Sequence, residues 1–237
     1  MAKIYAGTSG WAYANWKPAF YPPKLPSKKF LEHYATRLNS VEVNMTFRRF
    51  ASEKLQQGWI GCTPPGFRFS IKAHQNITHV KRLREAAEFT RSFLVSLQPL
   101  AGAGKLGTVL FQLPPFLKHD QALLEDFLGL LPQGVRSTFE FRHPSWFCDE
   151  VYAALRKANA ALCLAESEKL EVPSVETADF VYYRLRMPEY SPAQRKALRE
   201  RVERQVAVGK DVFVYYKHED TPEGALYAEE LLASRES

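Results

Sequence analysis

The chain has 237 residues, 46% of them hydrophobic and 24% charged, with a formal net charge of +6. That size and composition exclude disorder for the bulk of the chain and make disulfides or a metal unnecessary for folding. The net charge admits an anionic partner, from a phosphate ester to RNA, without demanding one, because no basic run reaches five residues.

Three cysteines, Cys62, Cys148 and Cys163, stand far apart with no CxxC spacing. They exclude a zinc ribbon or redox pair, and each reads as a small buried apolar residue. The N-terminus lacks the apolar core of a signal peptide, and no stretch reaches membrane-spanning length. The expectation is a cytoplasmic protein with no membrane partner.

In chain order, runs rich in β-branched and aromatic residues occupy 3–6, 40–43, 68–73, 108–113, 137–141, 160–165, 180–185 and 211–216. Several are apolar without a break, as at Thr108-Val109-Leu110-Phe111, which marks strands covered on both faces. Helical periods separate most of them. One stripe starts at Leu83 and runs through Ala86, Ala87, Phe93, Leu94 and Leu97. A second holds Leu123, Leu124, Phe127, Leu128 and Leu131; a third holds Val151, Leu155 and Ala158. Ser191-Pro192 suits a helix N-cap and first turn before Leu198, Val202 and Val206. Residues 223–233 form a last helix, and the polar stretch 166–177 reads as a loop in place of a regular helix. Strands alternating with helices predict a parallel sheet. Eight of them without a linker predict an α/β fold, a TIM-like (β/α)8 barrel in one domain over residues 1–237.

Active sites of such barrels lie at the C-terminal ends of the strands. Polar residues collect there along this chain. The first strand runs out at Ser9-Gly10-Trp11 and the second at Glu42-Val43-Asn44; the third carries Lys72, then His74 and His79, and the fourth carries Gln112. The fifth supplies Glu140, Arg142 and His143, with Trp146 beyond. The sixth ends at Glu166, the seventh at Tyr183 and Arg184, and the eighth at Lys217 and His218. Alternation puts Glu42 and Asn44 on one face of their strand, and Glu140 with Arg142 on one face of theirs. Charges aimed into a barrel need partners, so the carboxylates and cations are expected to meet in one pocket. Glu140 with Arg142 also fits a structural ion pair, and Glu42 also fits a cap on nearby backbone amides. His74 and His79 do not have the spacing of a helical zinc pair, and no metal ligand set or cofactor is named by the sequence. There is no GxxxxGK[ST] loop, GxGxxG turn or GxSxG elbow.

An ordered set of motifs resembles the DUF72 (YecE-like) family. It comprises Gly7-Thr8-Ser9-Gly10-Trp11, Phe20-Tyr21-Pro22, Val41-Glu42-Val43-Asn44-Met45-Thr46-Phe47, Phe111-Gln112-Leu113-Pro114-Pro115, Phe139-Glu140-Phe141-Arg142-His143, Tyr182-Tyr183-Arg184 and Tyr215-Tyr216-Lys217-His218. The resemblance spans nearly the whole chain and implies a TIM-like barrel, but no reaction. Arg48 and Lys217-His218 depart from residues common in the family.

These residues predict an enzyme acting on a small anionic molecule, phosphorylated or carboxylated. Glu140, Glu42 and Lys72 are its candidate catalytic groups. Trp11, Asn44, His79, Gln112, Arg142, His143, Trp146, Tyr183, Arg184, Lys217 and His218 are its candidate binding groups. Two other functions fit the same residues: nucleic-acid binding or processing, and a non-catalytic scaffold or regulator.

Overall fold

The computed structural model describes residues 1–233. Its strands are β1 (Ile4–Thr8), β2 (Ser40–Val43), β3 (Arg68–Lys72), β4 (Leu106–Gln112), β5 (Ser137–Glu140), β6 (Ala161–Ala165), β7 (Phe180–Leu185) and β8 (Asp211–Tyr216). They form one parallel sheet in the order β1-β8-β7-β6-β5-β4-β3-β2, a nearly closed barrel. Helices α1 (Phe30–Arg37), α2 (Glu53–Gly61), α3 (Ala87–Val95), α4 (Gln98–Gly102), α5 (Gln121–Gly129), α6 (Asp149–Lys157), α7 (Pro192–Ala207) and α8 (Glu223–Ala233) lie between and after the strands. Residues 166–179 between β6 and β7 hold no helix, as their polar composition predicts.

Local signals place several boundaries. Ser191 caps α7 through a reciprocal box with Gln194, and Pro192 fills the first turn, where its missing N–H costs nothing. Asp120 and Ser52 cap α5 and α2. The stripe expected from Leu83 onward does not form one helix. A π-helical turn, Asn76–Val80, comes first, and Arg82, Leu83 and Glu85 then adopt positive φ of 53°, 70° and 47°. Leu83 is buried and its N–H bonds Ile77 O at 2.9 Å, so packing and this bond hold a backbone that propensity disfavours.

The seam between β1 and β2 is closed mainly by side chains. A single bridge pairs Ser9 with Glu42. Below it Asn39 accepts from Ala6 N at 2.9 Å and donates to Ile4 O at 2.8 Å. The Tyr34 hydroxyl accepts from Thr8 N and donates to Ser40 O, each at 2.9 Å. These bonds satisfy the β1 amides that a neighbouring strand would otherwise take. Gly7 permits the approach, because a Cβ there would sit 1.8 Å from Ser40 O.

The barrel interior is graded along its axis. Tyr5, Phe180 and Phe213 plug the N-terminal end, with Tyr5 stacked on Phe213 at 4.8 Å. A hydroxyl layer follows, in which Tyr215 bonds Ser70 at 2.8 Å and Ser40 at 2.5 Å. The C-terminal layer is charged, and it positions the site.

Candidate functional site

Side chains two apart on a strand share a face. On β2 this sends Ser40 and Glu42 inward and Val41 and Val43 outward; on β7 it sends Tyr182 and Arg184 inward. Glu42 is 0% exposed, and Glu140 and Arg184 are 2% exposed each. A buried charge is tolerable only if paired and hydrogen-bonded, and Arg184 meets that demand for both carboxylates. Its Nε and Nη2 donate to Glu42 at 2.9 and 2.8 Å, and its Nη1 donates to Glu140 at 2.5 Å. Every guanidinium nitrogen of Arg184 is thereby engaged within the protein, the Glu42 side bidentately.

Further donors complete both acids. Glu42 accepts from Ser9 Oγ at 2.8 Å, Tyr182 Oη at 2.6 Å and Asn44 Nδ2 at 3.3 Å. Glu140 accepts from Gln112 Nε2 at 2.9 Å and Arg186 Nη2 at 2.8 Å, with Arg142 Nε 3.9 Å away. Burial pushes both carboxyls up, but the guanidiniums outweigh it: Glu42 is lowered, and Glu140 is held down at about 2. Both are carboxylates at neutral pH.

Lys72 is placed differently. Its Nζ donates to Gln112 Oε1 at 2.8 Å and lies 4.3 Å from the centre of the Phe47 ring. The Arg184 guanidinium has taken the carboxylates that would otherwise pair with it. Burial, then the Arg184 charge, drops the ammonium from its usual 10.5 to about 8, against the pull of Glu42 and Glu140. His79 meets the same Phe47 ring edge-on at 4.9 Å, with its Nδ1 2.8 Å from Thr78 Oγ1. Burial and the charges of Lys72, Arg142 and Arg48 lower its pKa, so the imidazole is neutral near pH 7. Gln112 links the halves, bonding Lys72 through its oxygen and Glu140 through its nitrogen.

Of the residues singled out in the sequence, Glu42, Asn44, Lys72, Gln112, Glu140, Arg142 and Arg184 converge at the mouth, with His79 on the same rim. Others lie elsewhere. Tyr183 points outward and bonds Gln205 of α7 at 3.0 Å, because its neighbour Arg184 faces in. Trp146 is fully buried outside the barrel, stacked on Phe141 at 4.6 Å and donating to Leu117 O. His218 is buried too, bonding Met187 O at 2.8 Å beside Tyr190. Trp11 is half-buried against Trp59 of α2, His143 turns back to accept from Ser145 N, and Lys217 is exposed. Two inward residues, Tyr182 and Arg186, escaped the sequence reading. Alternation from Arg184 marks both, since they lie two positions before and after it.

A cavity of about 280 Å³ lies against the outer face of β6 and β7, beside Glu166, Tyr190 and Arg201. A larger groove of about 810 Å³ runs between α5 and α6 near the N-terminal end of β5. Neither includes Lys72 or Glu140. Among the described residues no group of three or more His, Cys, Asp or Glu side chains is arranged to hold a metal ion. No described helix is long and apolar enough to cross a membrane.

Residues 5–237 match the family described as "Protein of unknown function DUF72". The chain belongs to the DUF72 family. It is 33% identical over 159 residues to UPF0759 protein YunF of Bacillus subtilis, an alignment covering 63% of this chain and 54% of that protein. The chain thus spans about half the length of that curated relative. A DUF72 family protein from Thermotoga maritima has the same fold, with a TM-score of 0.84 at 24% identity over 99% of this chain and 100% of that one. A family 2 AP endonuclease from Brucella melitensis shares the barrel more distantly, with a TM-score of 0.52 at 12% identity over 92% and 93% of the two chains.

Proposed function

We propose that this DUF72 protein is an enzyme that binds a small phosphorylated or carboxylated molecule at the C-terminal mouth of its barrel and moves a proton on it. The observation that carries the reading is Lys72. It is an ammonium lowered to about 8, bonded to Gln112 and, among the described residues, left without an ion pair in a layer where Arg184 and Arg186 take both acids. At pH 7 roughly nine in ten such groups are protonated, so Lys72 serves as acid to an incoming substrate and as base in its minority form. The charges of the layer support an anionic ligand. Glu42 and Glu140 face Arg184, Arg186 and Lys72, which leaves an excess of one positive charge before Arg142 is added. Glu42 and Glu140 then act as positioning residues: fully ionised and bonded, they hold Arg184 and, through Gln112, the Lys72 amine. Arg142, 40% exposed at the rim with a 3.9 Å contact to Glu140, is placed to meet the anion.

The test is a thermal-shift screen with inorganic phosphate, phosphorylated metabolites and carboxylates. A ligand at about a hundred times its Kd adds roughly 2.7 kcal/mol, which raises the Tm of a domain this size by about 5–10 °C. The shift should vanish in Lys72→Met and shrink in Arg142→Ala. A scaffold role predicts instead that both variants change Tm but no compound shifts the wild-type protein, and that result would reject the proposal.

A further inference from the structure

The C-terminal mouth is electrically divided. The loops after β2 to β5 (residues 44–52, 73–86, 113–120 and 141–148) carry seven basic side chains against Glu85 and Asp120. The segments that follow β6 to β8 at this end (166–172, 186–191 and 217–222) carry three basic against six acidic. Contacts join the basic loops into one arc. Arg48 Nη1 donates to Gln75 Oε1 at 3.1 Å, linking the β2 and β3 loops. Arg82 lies 5.0 Å from the centre of the Phe116 ring, and Arg84 pairs with Asp120 at 2.8 Å, linking β3 to β4. His119 N donates to Ser145 Oγ at 2.9 Å, linking β4 to β5. Arg48, Arg49, Lys81, Arg82, Lys118 and Arg142 are all exposed along it.

Two features of the arc are costly for a plain solvated surface. Phe116 is 61% exposed and Val80 64% exposed. Arg82 is held outward over Phe116 by a turn with three non-glycine residues at positive φ, anchored by the buried Leu83. Such strain persists where the surroundings impose it and gathers at functional loops.

We infer that this arc is a docking surface for single-stranded nucleic acid, with Phe116 as the stacking platform and the arginines and lysines tracking the phosphates. A basic groove with an exposed ring is the pattern by which single strands are held without sequence preference. The division of charge selects the occupant. A flat anionic membrane or a straight duplex laid on this end would also meet the acidic half, whereas a flexible strand follows the basic arc alone. The inference goes beyond the small-anion reading and does not rest on Lys72.

Fluorescence anisotropy with a labelled twelve-nucleotide single-stranded DNA tests it, at salt from 50 to 200 mM. If about four phosphates are engaged, log K falls against log salt with a slope of about −3. The double variant Arg49→Ala/Arg82→Asn removes two of them and should flatten the slope by about 1.4; asparagine tolerates the positive φ at position 82. Phe116→Ala should weaken binding about tenfold by loss of base stacking. These exposed substitutions should leave Tm and any phosphate-induced shift at wild-type values, so failure here and failure of the small-anion reading are separate results. Salt-insensitive or absent binding, unchanged affinity in these variants, or tighter binding to vesicles of anionic lipid than to the strand would each overturn the inference.

Discussion

Replacing Arg184 by methionine removes three charge-assisted bonds at once; it strands Glu42 in the barrel interior and leaves Glu140 with Arg186 as its bonded cation. Breaking a buried ion pair from one side costs about 3–5 kcal/mol, because the remaining charge stays desolvated. The lowered pKa of Glu140 sets the scale of what Arg184, Arg186 and Gln112 contribute to it together. Glu140 held at about 2 instead of 4.5 contributes roughly 3 kcal/mol of stability at neutral pH. For a chain of this size each kcal/mol moves Tm by about 2–4 °C, so the variant should melt about 6–20 °C lower at pH 8.

The sign of the pH dependence follows from the direction of each shift. In the wild-type protein the folded Glu140 titrates below its unfolded value, so its contribution is complete above about 4.5 and disappears as pH falls toward 2. In the variant the stranded Glu42 titrates above its unfolded value, so stability is lost as pH rises through its new pKa. The deficit should therefore be smaller at pH 5 than at pH 8, as followed by circular dichroism melts. Converting both acids to glutamine in the same chain removes the stranded charge and should recover part of the loss. A drop below about 3 °C at pH 8, or a deficit equal at both pH values, would refute the assignment of Arg184 as the hub of the layer.

Gly7→Ala puts a methyl 1.8 Å from Ser40 O and 2.5 Å from Tyr34 Oη, so it should cost more than about 4 kcal/mol and show as lost soluble yield or a collapsed melt. Asn39→Leu removes two cross-seam bonds and should cost about 2–4 kcal/mol by chemical denaturation. Lys72 should titrate near pH 8 by NMR of isotopically labelled lysine, and a midpoint at the ordinary value near 10.5 would remove it as a proton carrier. Tyr182→Phe and Tyr183→Phe separate the two faces of β7. The first removes a bond to the Glu42 carboxylate and should cost about 1.5–3 kcal/mol; the second removes a neutral bond to Gln205 and should cost about 1 kcal/mol, with the phosphate-induced shift intact.

What could be read from the sequence is what repeats at short range. Apolar strand runs spaced by helical stripes specify parallel strands covered on both faces, and Ser191-Pro192 marks a helix start because a cap is a local bond. Period-2 alternation also sends Glu42 and Glu140 inward, and the same rule applied to β7 distinguishes Tyr182 from Tyr183. The tertiary structure alone decided who pairs with whom. Glu42 and Arg184 are 142 residues apart, and their meeting depends on how strands on different sides of the barrel are staggered. No local pattern carries that stagger. It made Arg184 the partner of both acids, left Lys72 without an ion pair among the described residues, and turned Trp146 and His218 into packing on the outer layer. The β1–β2 seam has the same origin, since Asn39 and Tyr34 become its rungs only when the barrel brings its first and second strands together.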